Sequence, residues 1–190
     1  DVTRHNGSVL HLTRDGAPAP GNPDLGPDAQ PEIWSYGHRN PQGAALDLQG
    51  DLWVNEHGAR GGDEVNRIRR GANYGWPLRS NGEHYDGGAI TDHSADDGFA
   101  KAAIGWTPVI APGSMTFYTG DLFDGLAGNL LIAGLKSQAI VRVAIDGETA
   151  TETARYDMGA RIREIVEGPD GALWVLEDGE GGRLLELRPG

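Results

Sequence analysis

Three stretches of this sequence concentrate the residue types from which a chemical site can be built. In Ser35-Tyr36-Gly37-His38-Arg39-Asn40-Pro41-Gln42-Gly43, a stretch too polar for a core strand, adjacent Arg39 and Asn40 precede a proline. Such a pair can present a guanidinium fork and an amide from one rigid turn, or can merely cap backbone at the surface. In Glu56-His57-Gly58-Ala59-Arg60-Gly61-Gly62-Asp63-Glu64-Val65-Asn66, the closely spaced glycines let carbonyls and amides face one point. That suits a hard cation bound by oxygen, with Asp63 and Glu64 nearby; the same segment also reads as a strand-joining loop with solvated carboxylates. The third group is cationic. Lys136 follows the apolar run Leu130 to Ala133, and Arg161 and Arg163 alternate, so a two-residue period sends both to one strand face. Like charges on one face repel unless an anion lies between them. In an acidic chain, Arg39, Lys136, Arg161 and Arg163 therefore make a candidate anion site built from separate segments, the alternative being four independent surface charges.

Other chemistries find less support. The six His include no Ser/His/Asp or His-x-x-x-His arrangement with useful spacing, and a structural or surface role suits each of them better. Asp92 to Asp97 superficially resembles a calcium loop but lacks the spaced ligands and closing Glu of an EF-hand, and reads as solvated loop. Zero Cys removes disulfides, zinc ribbons, thiol nucleophiles and iron–sulfur clusters together. With 28 acidic against 16 basic residues, a net charge of -12 repels phosphate backbones and anionic lipid heads, so neither nucleic acid nor a membrane surface is the expected partner. The apolar runs are far shorter than the roughly 20 residues of a membrane span. The polar opening from Asp1 to Gly7 shows no export signal.

The elements that must position these residues are short strands bounded by turns. Val9 to Leu12, Ala44 to Leu48, Leu52 to Val54, Asn129 to Ala133, Ala139 to Val143, Ile162 to Val166, Leu173 to Leu176 and Leu184 to Leu187 each read as strand. Gly makes up 30 of the 190 residues, about twice its ordinary share, which supplies the turns. No helix of useful length carries a 3.6-residue period, so the fold class is all-β. A repeat decides the architecture: Gly50-Asp51-Leu52-Trp53-Val54 returns as Gly171-Ala172-Leu173-Trp174-Val175, with Gly128-Asn129-Leu130-Leu131-Ile132 as a weaker copy. The interval from Leu130 to Leu173 matches the roughly 40–50 residues of a four-stranded propeller blade. From Leu52 to Leu130 is nearly twice as far, which suits one blade plus an insertion. The insertion is placed at residues 71–107, a polar loop region of the kind that carries binding on propellers, and Ala17 to Pro31 forms another loop. The chain reads as a β-propeller, or part of a larger one, with about three to four blades.

Several long motifs, in order, then resemble the soluble quinoprotein sugar dehydrogenases, the family of soluble glucose dehydrogenase and the aldose sugar dehydrogenases. They are Gly37 to Gly43, Glu56 to Asn66, Gly71-Ala72-Asn73-Tyr74-Gly75-Trp76-Pro77, Ile110 to Met115, Leu135-Lys136, and Arg161-Ile162-Arg163 with Gly168 to Gly171. The resemblance implies a six-bladed propeller using pyrroloquinoline quinone (PQQ) and calcium. It implies that Arg39 and Asn40 sit at the quinone oxygens, with Arg39 stabilising the oxygen that becomes negative on reduction. The main-chain carbonyls of Gly58 and Ala59 would help hold calcium, and Lys136, Arg161 and Arg163 would bind the cofactor's carboxylates. Trp106 is a weaker candidate for the mouth of the site, set against packing beneath the loop. His57 and Ala59 depart from the Gln and Pro of soluble glucose dehydrogenase, and Val109 stands where that enzyme uses a hydroxyl.

By the same resemblance the chain, residues 1–190, corresponds to the C-terminal portion of the propeller and lacks the family's catalytic His. The expected reaction is oxidation of an aldose at the anomeric carbon to the lactone, with hydride passing to the quinone and electrons to an external acceptor. The N-terminal half of the propeller, or another copy, is the expected partner, and the periplasm or exterior the expected location. The rivals are a non-catalytic binding or scaffold propeller and a calcium-dependent propeller lactonase.

Overall fold

A computed structural model describes residues 1–190, which form antiparallel sheets and no helix. The strands are β1 (Ser8–Leu10), β2 (Ile33–Tyr36), β3 (Pro41–Leu46), β4 (Leu52–Glu56), β5 (Asp63–Arg67), β6 (Ile104–Trp106), β7 (Pro112–Phe117), β8 (Leu130–Gly134), β9 (Ala139–Asp146), β10 (Thr149–Asp157), β11 (Ile162–Glu167), β12 (Leu173–Glu177) and β13 (Leu184–Leu187). They assemble as the blades β3-β4-β5-β6 and β7-β8-β9-β10, the three-stranded sheet β11-β12-β13, and the pair β1-β2. Leu52, Leu130 and Leu173, the repeat read from sequence, each open the second strand of a blade. This is propeller architecture, with the first strands β3, β7 and β11 side by side.

Burial follows from alternation. On β8, Leu130 and Ile132 face one neighbouring blade and Leu131 and Ala133 face the other, which leaves the whole strand buried. One core joins Trp53, Val65 and Trp106 to Met115, Phe117, Val141 and Val143; the next joins Leu131, Ala133 and Ile140 to Ile162, Ile165, Leu173 and Val175. The first strands approach closely because they carry glycine at the contact. A Cβ on Gly43 would sit 2.9 Å from the Met115 nitrogen, and one on Gly113 would collide with the Arg163 carbonyl.

Asn55 locks this contact. Fully buried, it accepts from the Gly43 N–H at 2.8 Å and donates to the Gly113 carbonyl at 3.0 Å, tying β3, β4 and β7 together. Asn55→Ala leaves both groups unpaired and is expected to lower stability by about 2–6 kcal/mol, at about 1–3 kcal/mol for each orphaned group. Urea unfolding reads it; a loss below about 1 kcal/mol would mean that the blades meet without this bond.

The structure revises four readings. The polar segment before the first core strand is partly strand, since Ser35-Tyr36 end β2 and Pro41 opens β3. Asp63 and Glu64 are not loop carboxylates but the start of β5. The inserted region ends before residue 107, because Ile104–Trp106 form the fourth strand of their blade; the loop joins the third strand to that fourth. Asp97 is not solvated: its side chain is 1% exposed and gathers His93 Nδ1 at 3.0 Å, the Ser94 and Phe99 N–H groups and Lys101.

Candidate functional site

Antiparallel blades alternate their connections between two ends, and that alternation gathers the predicted residues. At the end where β3, β7 and β11 begin lie Arg39-Asn40 before β3, residues 57–62 between β4 and β5, residues 107–111 between β6 and β7, residues 135–138 between β8 and β9, and residues 158–161 before β11. Hydrogen bonds join these connections in series. His57 N–H donates to the Asn40 carbonyl at 3.1 Å, His57 Nε2 to the Pro112 carbonyl at 2.7 Å, Leu135 N–H to Ala111 and Lys136 N–H to Ile110 at 2.9 Å each, and Met158 N–H to Gln138 at 2.9 Å. The 68–103 connection starts and ends at the opposite end, yet climbs to this one: Arg60 and Glu83 exchange both backbone hydrogen bonds, at 2.9 and 3.2 Å.

Beneath Arg39 lies a buried polar bracket. Glu56 accepts from Arg39 N–H at 2.7 Å, Asn40 N–H at 3.4 Å, His38 Nδ1 at 2.9 Å and Asn66 Nδ2 at 2.9 Å. A carboxylate oxygen accepts, so His38 donates to it from Nδ1 and meets the Ser35 hydroxyl at Nε2, 2.9 Å away. A Ser/His/acid arrangement therefore exists where spacing along the chain shows none. Ser35, His38 and Glu56 are all buried, so no substrate reaches the hydroxyl and the trio serves to hold the Arg39 backbone. The Arg39 guanidinium donates to the His57 carbonyl at 3.0 Å and lies 5.3 Å from the Trp76 ring and 5.6 Å from the Tyr85 ring, while its buried Nε has no partner. Asn40 Oδ1 accepts from Gln42, leaving its amide N–H groups free.

The loop after β4 is clamped by Asp63. Buried at the start of β5, it accepts from Gly58 N–H at 3.0 Å and Ala111 N–H at 2.7 Å. Burial raises its pKa against the pull of those two bonds. Gly58 must be glycine, because a Cβ would collide with the Gly61 carbonyl. The carbonyl oxygens of Gly58 and Ala59 accept no hydrogen bond from the chain. Such free oxygens fit a hard cation. Glu64, beside Arg39 in the same pocket, is pushed up to about 7 by burial and then by the Glu56 charge.

The remaining cations divide. Lys136 forms no ion pair and lines an open cleft of about 750 Å³ with Ala59, Arg60, Tyr85 and Val109. Arg161 and Arg163 do share a face, and the anion between them belongs to the chain itself: Asp178 receives Arg161 Nη2 at 2.8 Å and Arg163 Nη2 at 3.2 Å. Hydrogen bonds from Arg161, then Arg163, hold Asp178 below the usual carboxylate range. Two guanidinium groups on one carboxylate keep a net positive charge, and both remain partly exposed. Of the two readings of Trp106, mouth of the site or packing, the structure shows packing. Trp106 packs in the core between blades and donates from Nε1 to Glu152 of β10 at 2.7 Å, tying two outer strands rather than framing the mouth. Spacing alone did not disclose Glu56, Ser35, Asn66, Trp76 or Tyr85 as part of this site. The exposed aromatic in an otherwise polar insertion was the one available signal for Tyr85.

Comparison with known proteins agrees with this geometry. A family model described as glucose/sorbosone dehydrogenase matches residues 1–186. Aldose sugar dehydrogenase YliI of Escherichia coli is 39% identical over 100% of this chain and 53% of its own length. The crystal structure of the soluble aldose sugar dehydrogenase from Escherichia coli, in the apo form, superposes with a TM-score of 0.91 at 38% identity, covering 98% of this chain and 55% of that one. The PQQ-bound aldose sugar dehydrogenase from Streptomyces coelicolor follows with a TM-score of 0.74 at 31% identity, over 99% and 53%. The chain spans about half the length of the curated relatives it matches. With blades, motifs and relatives in accord over nearly all its residues, it belongs to the glucose/sorbosone dehydrogenase family.

Proposed function

We propose that this chain supplies the cofactor-holding part of a quinone- and calcium-dependent dehydrogenase that oxidises aldose sugars at the anomeric carbon to lactones and hands the electrons to an external acceptor. One observation carries the reading: unpaired Lys136, the Arg161/Arg163 pair, Arg39 and the two free carbonyl oxygens of Gly58 and Ala59 lie together at one end of the blades. PQQ, which is bound in the Streptomyces coelicolor relative, carries three carboxylates and requires cations to offset them.

Lys136, Arg161 and Arg163 would hold those carboxylates, and the Gly58 and Ala59 carbonyls would hold the calcium ion. When bound, the quinone accepts the two electrons and calcium polarises it. The chain's own residues do the rest. Arg39, anchored through Glu56 and His57, directs guanidinium donors at an oxygen that gains negative charge, and the Asn40 amide can donate beside it. Trp76 and Tyr85 limit water around that guanidinium.

The base that takes the sugar hydroxyl proton would come from outside this chain, either the N-terminal half of the propeller or another copy. A place for that partner exists. Val166, Trp174, Leu176 and Leu184 are exposed on one face of the β11-β12-β13 sheet, opposite the face that packs on β8. Each preceding blade buries such a face against the next, so a further sheet would pack here. No helix is long and apolar enough to cross a membrane, and a periplasmic or secreted location is part of the proposal.

The test is a titration of the complete protein with PQQ, with and without calcium, followed by dye reduction on adding aldoses. Calcium-dependent binding with sugar-driven reduction is expected. Lys136→Ala and Arg161→Ala should each weaken PQQ binding roughly tenfold or more, the worth of a charge-assisted hydrogen bond. A folded, complete propeller that binds no PQQ would sink the reading and favour a scaffold.

A further inference from the structure

The 68–103 connection brings one residue, Tyr85, to the site with an outward face that the cofactor cradle does not account for. Its return to the site end is enforced by backbone-to-backbone packing, since a Cβ on Gly62 would lie 2.8 Å from the Asn81 carbonyl carbon and one on Gly82 would collide with the Gly61 carbonyl. Beyond that contact the chain makes a tight hairpin. Glu83 bridges to Arg60 on one side and to Ala89 on the other, and His84 N–H bonds the Gly88 carbonyl at 2.8 Å. The tip of this pinned hairpin presents Tyr85.

Tyr85 is 74% exposed, an unusual position for a tyrosine whose backbone is so firmly held. Its ring lies against the Arg39 guanidinium, and its hydroxyl accepts from Arg39 Nη2 at 3.4 Å. It also lines the open cleft with Lys136, so it touches Arg39 on one side and the cleft on the other. Around it, Asn81, Glu83 and Asp92 offer donors and acceptors, while Pro108 and Val109 are apolar. An exposed aromatic face ringed by amide and carboxylate groups is suited to a molecule with an apolar C–H face and a rim of hydroxyls, and a pyranose ring has that form.

We propose that Tyr85 is a specificity-determining residue whose outward face stacks on the sugar ring of the aldose, with Asn81, Glu83 and Asp92 meeting its hydroxyls. The assignment rests on the sugar dehydrogenase reading above and adds the surface that selects the sugar. It places sugar recognition on an insertion within one blade, beside the cationic cradle. Changes at Asn81, Glu83 or Asp92 would then alter which saccharide is taken.

The experiment uses the complete enzyme loaded with PQQ and calcium. Steady-state kinetics with free aldoses are paired with saturation-transfer NMR of methyl β-D-glucopyranoside, whose blocked anomeric hydroxyl prevents oxidation there. Tyr85→Ala should raise KM roughly threefold to tenfold, more than it lowers kcat, and should abolish saturation transfer to the ring protons. Tyr85→Phe, which keeps the face and loses only the hydroxyl, should restore both. Tyr85→Ala with wild-type KM and wild-type transfer would overturn the assignment while leaving the dehydrogenase reading intact. So would a fall in kcat at constant KM, which would make Tyr85 a cover for Arg39 only. A folded wild-type protein that binds PQQ but neither oxidises an aldose nor binds the glycoside would overturn both.

Discussion

Glu56→Ala is expected to lower the stability of the complete protein by about 3–5 kcal/mol, the cost of removing one partner from a buried charged network. So large a loss follows from what the carboxylate holds. Two backbone N–H groups, from Arg39 and Asn40, and two side chains, His38 and Asn66, all donate to it inside a site that is 4% exposed. Alanine leaves those donors without an acceptor and a void in their midst. The Arg39-Asn40 turn should then lose its fixed direction, so PQQ affinity should fall together with stability. Glu56→Gln is the informative companion. It retains one acceptor oxygen but turns an N–H group toward donors, so it should fall between wild type and Ala. Urea unfolding midpoints of the three proteins decide it. A Glu56→Ala protein within about 1 kcal/mol of wild type would show that the bracket does not hold the turn.

Legibility in the sequence tracks locality. Strands β4, β8, β9, β11 and β12 are apolar and turn-bounded, so their own residues announce them, and the repeat of Leu52, Leu130 and Leu173 reveals blade order. Strand β5 stays hidden because two of its buried positions carry Asp63, committed to clamping the loop after β4, and Asn66, committed to the polar bracket, in place of aliphatic side chains. Strand β10 stays hidden for another reason: as an outer strand its nine residues are mostly exposed and polar, which leaves no apolar alternation to detect. A two-residue period puts Arg161 and Arg163 together, but the carboxylate between them arrives from Asp178 after β12, a pairing that no spacing encodes. Ser35, His38 and Glu56 meet for the same reason, across a connection that only the fold closes. The resemblance named the cradle residues. The physical setting of each came from the structure.

The Glu64→Gln substitution should reverse part of the protein's pH response. Glu64 ordinarily titrates near 4.5 and is pushed up to about 7 in the folded chain, mainly by burial and then by Glu56. Between those values the unfolded chain has released the proton that the folded chain still holds. The folded state therefore binds more protons, and stability must fall as pH rises from about 4.5 to 7, then level off. The full shift corresponds to about 3 kcal/mol as an upper limit, at about 1.4 kcal/mol per pH unit. Asp63, also raised by burial, adds a slope of the same sign at the acidic side of the window, and that part should survive the substitution. Glu64→Gln should flatten the decline and leave the protein more stable than wild type at pH 8, read from urea midpoints at pH 5 and pH 8 with calcium and cofactor removed. Equal slopes in the two proteins would place the titration elsewhere. The same proton bears on the proposed chemistry. While Glu64 is neutral, the pocket it shares with Arg39 carries one negative charge fewer, which favours an anionic ligand there. Once Glu64 ionises, its charge adds to the negative field of that pocket, and affinity for the proposed tricarboxylate cofactor should decline over the range in which stability levels off.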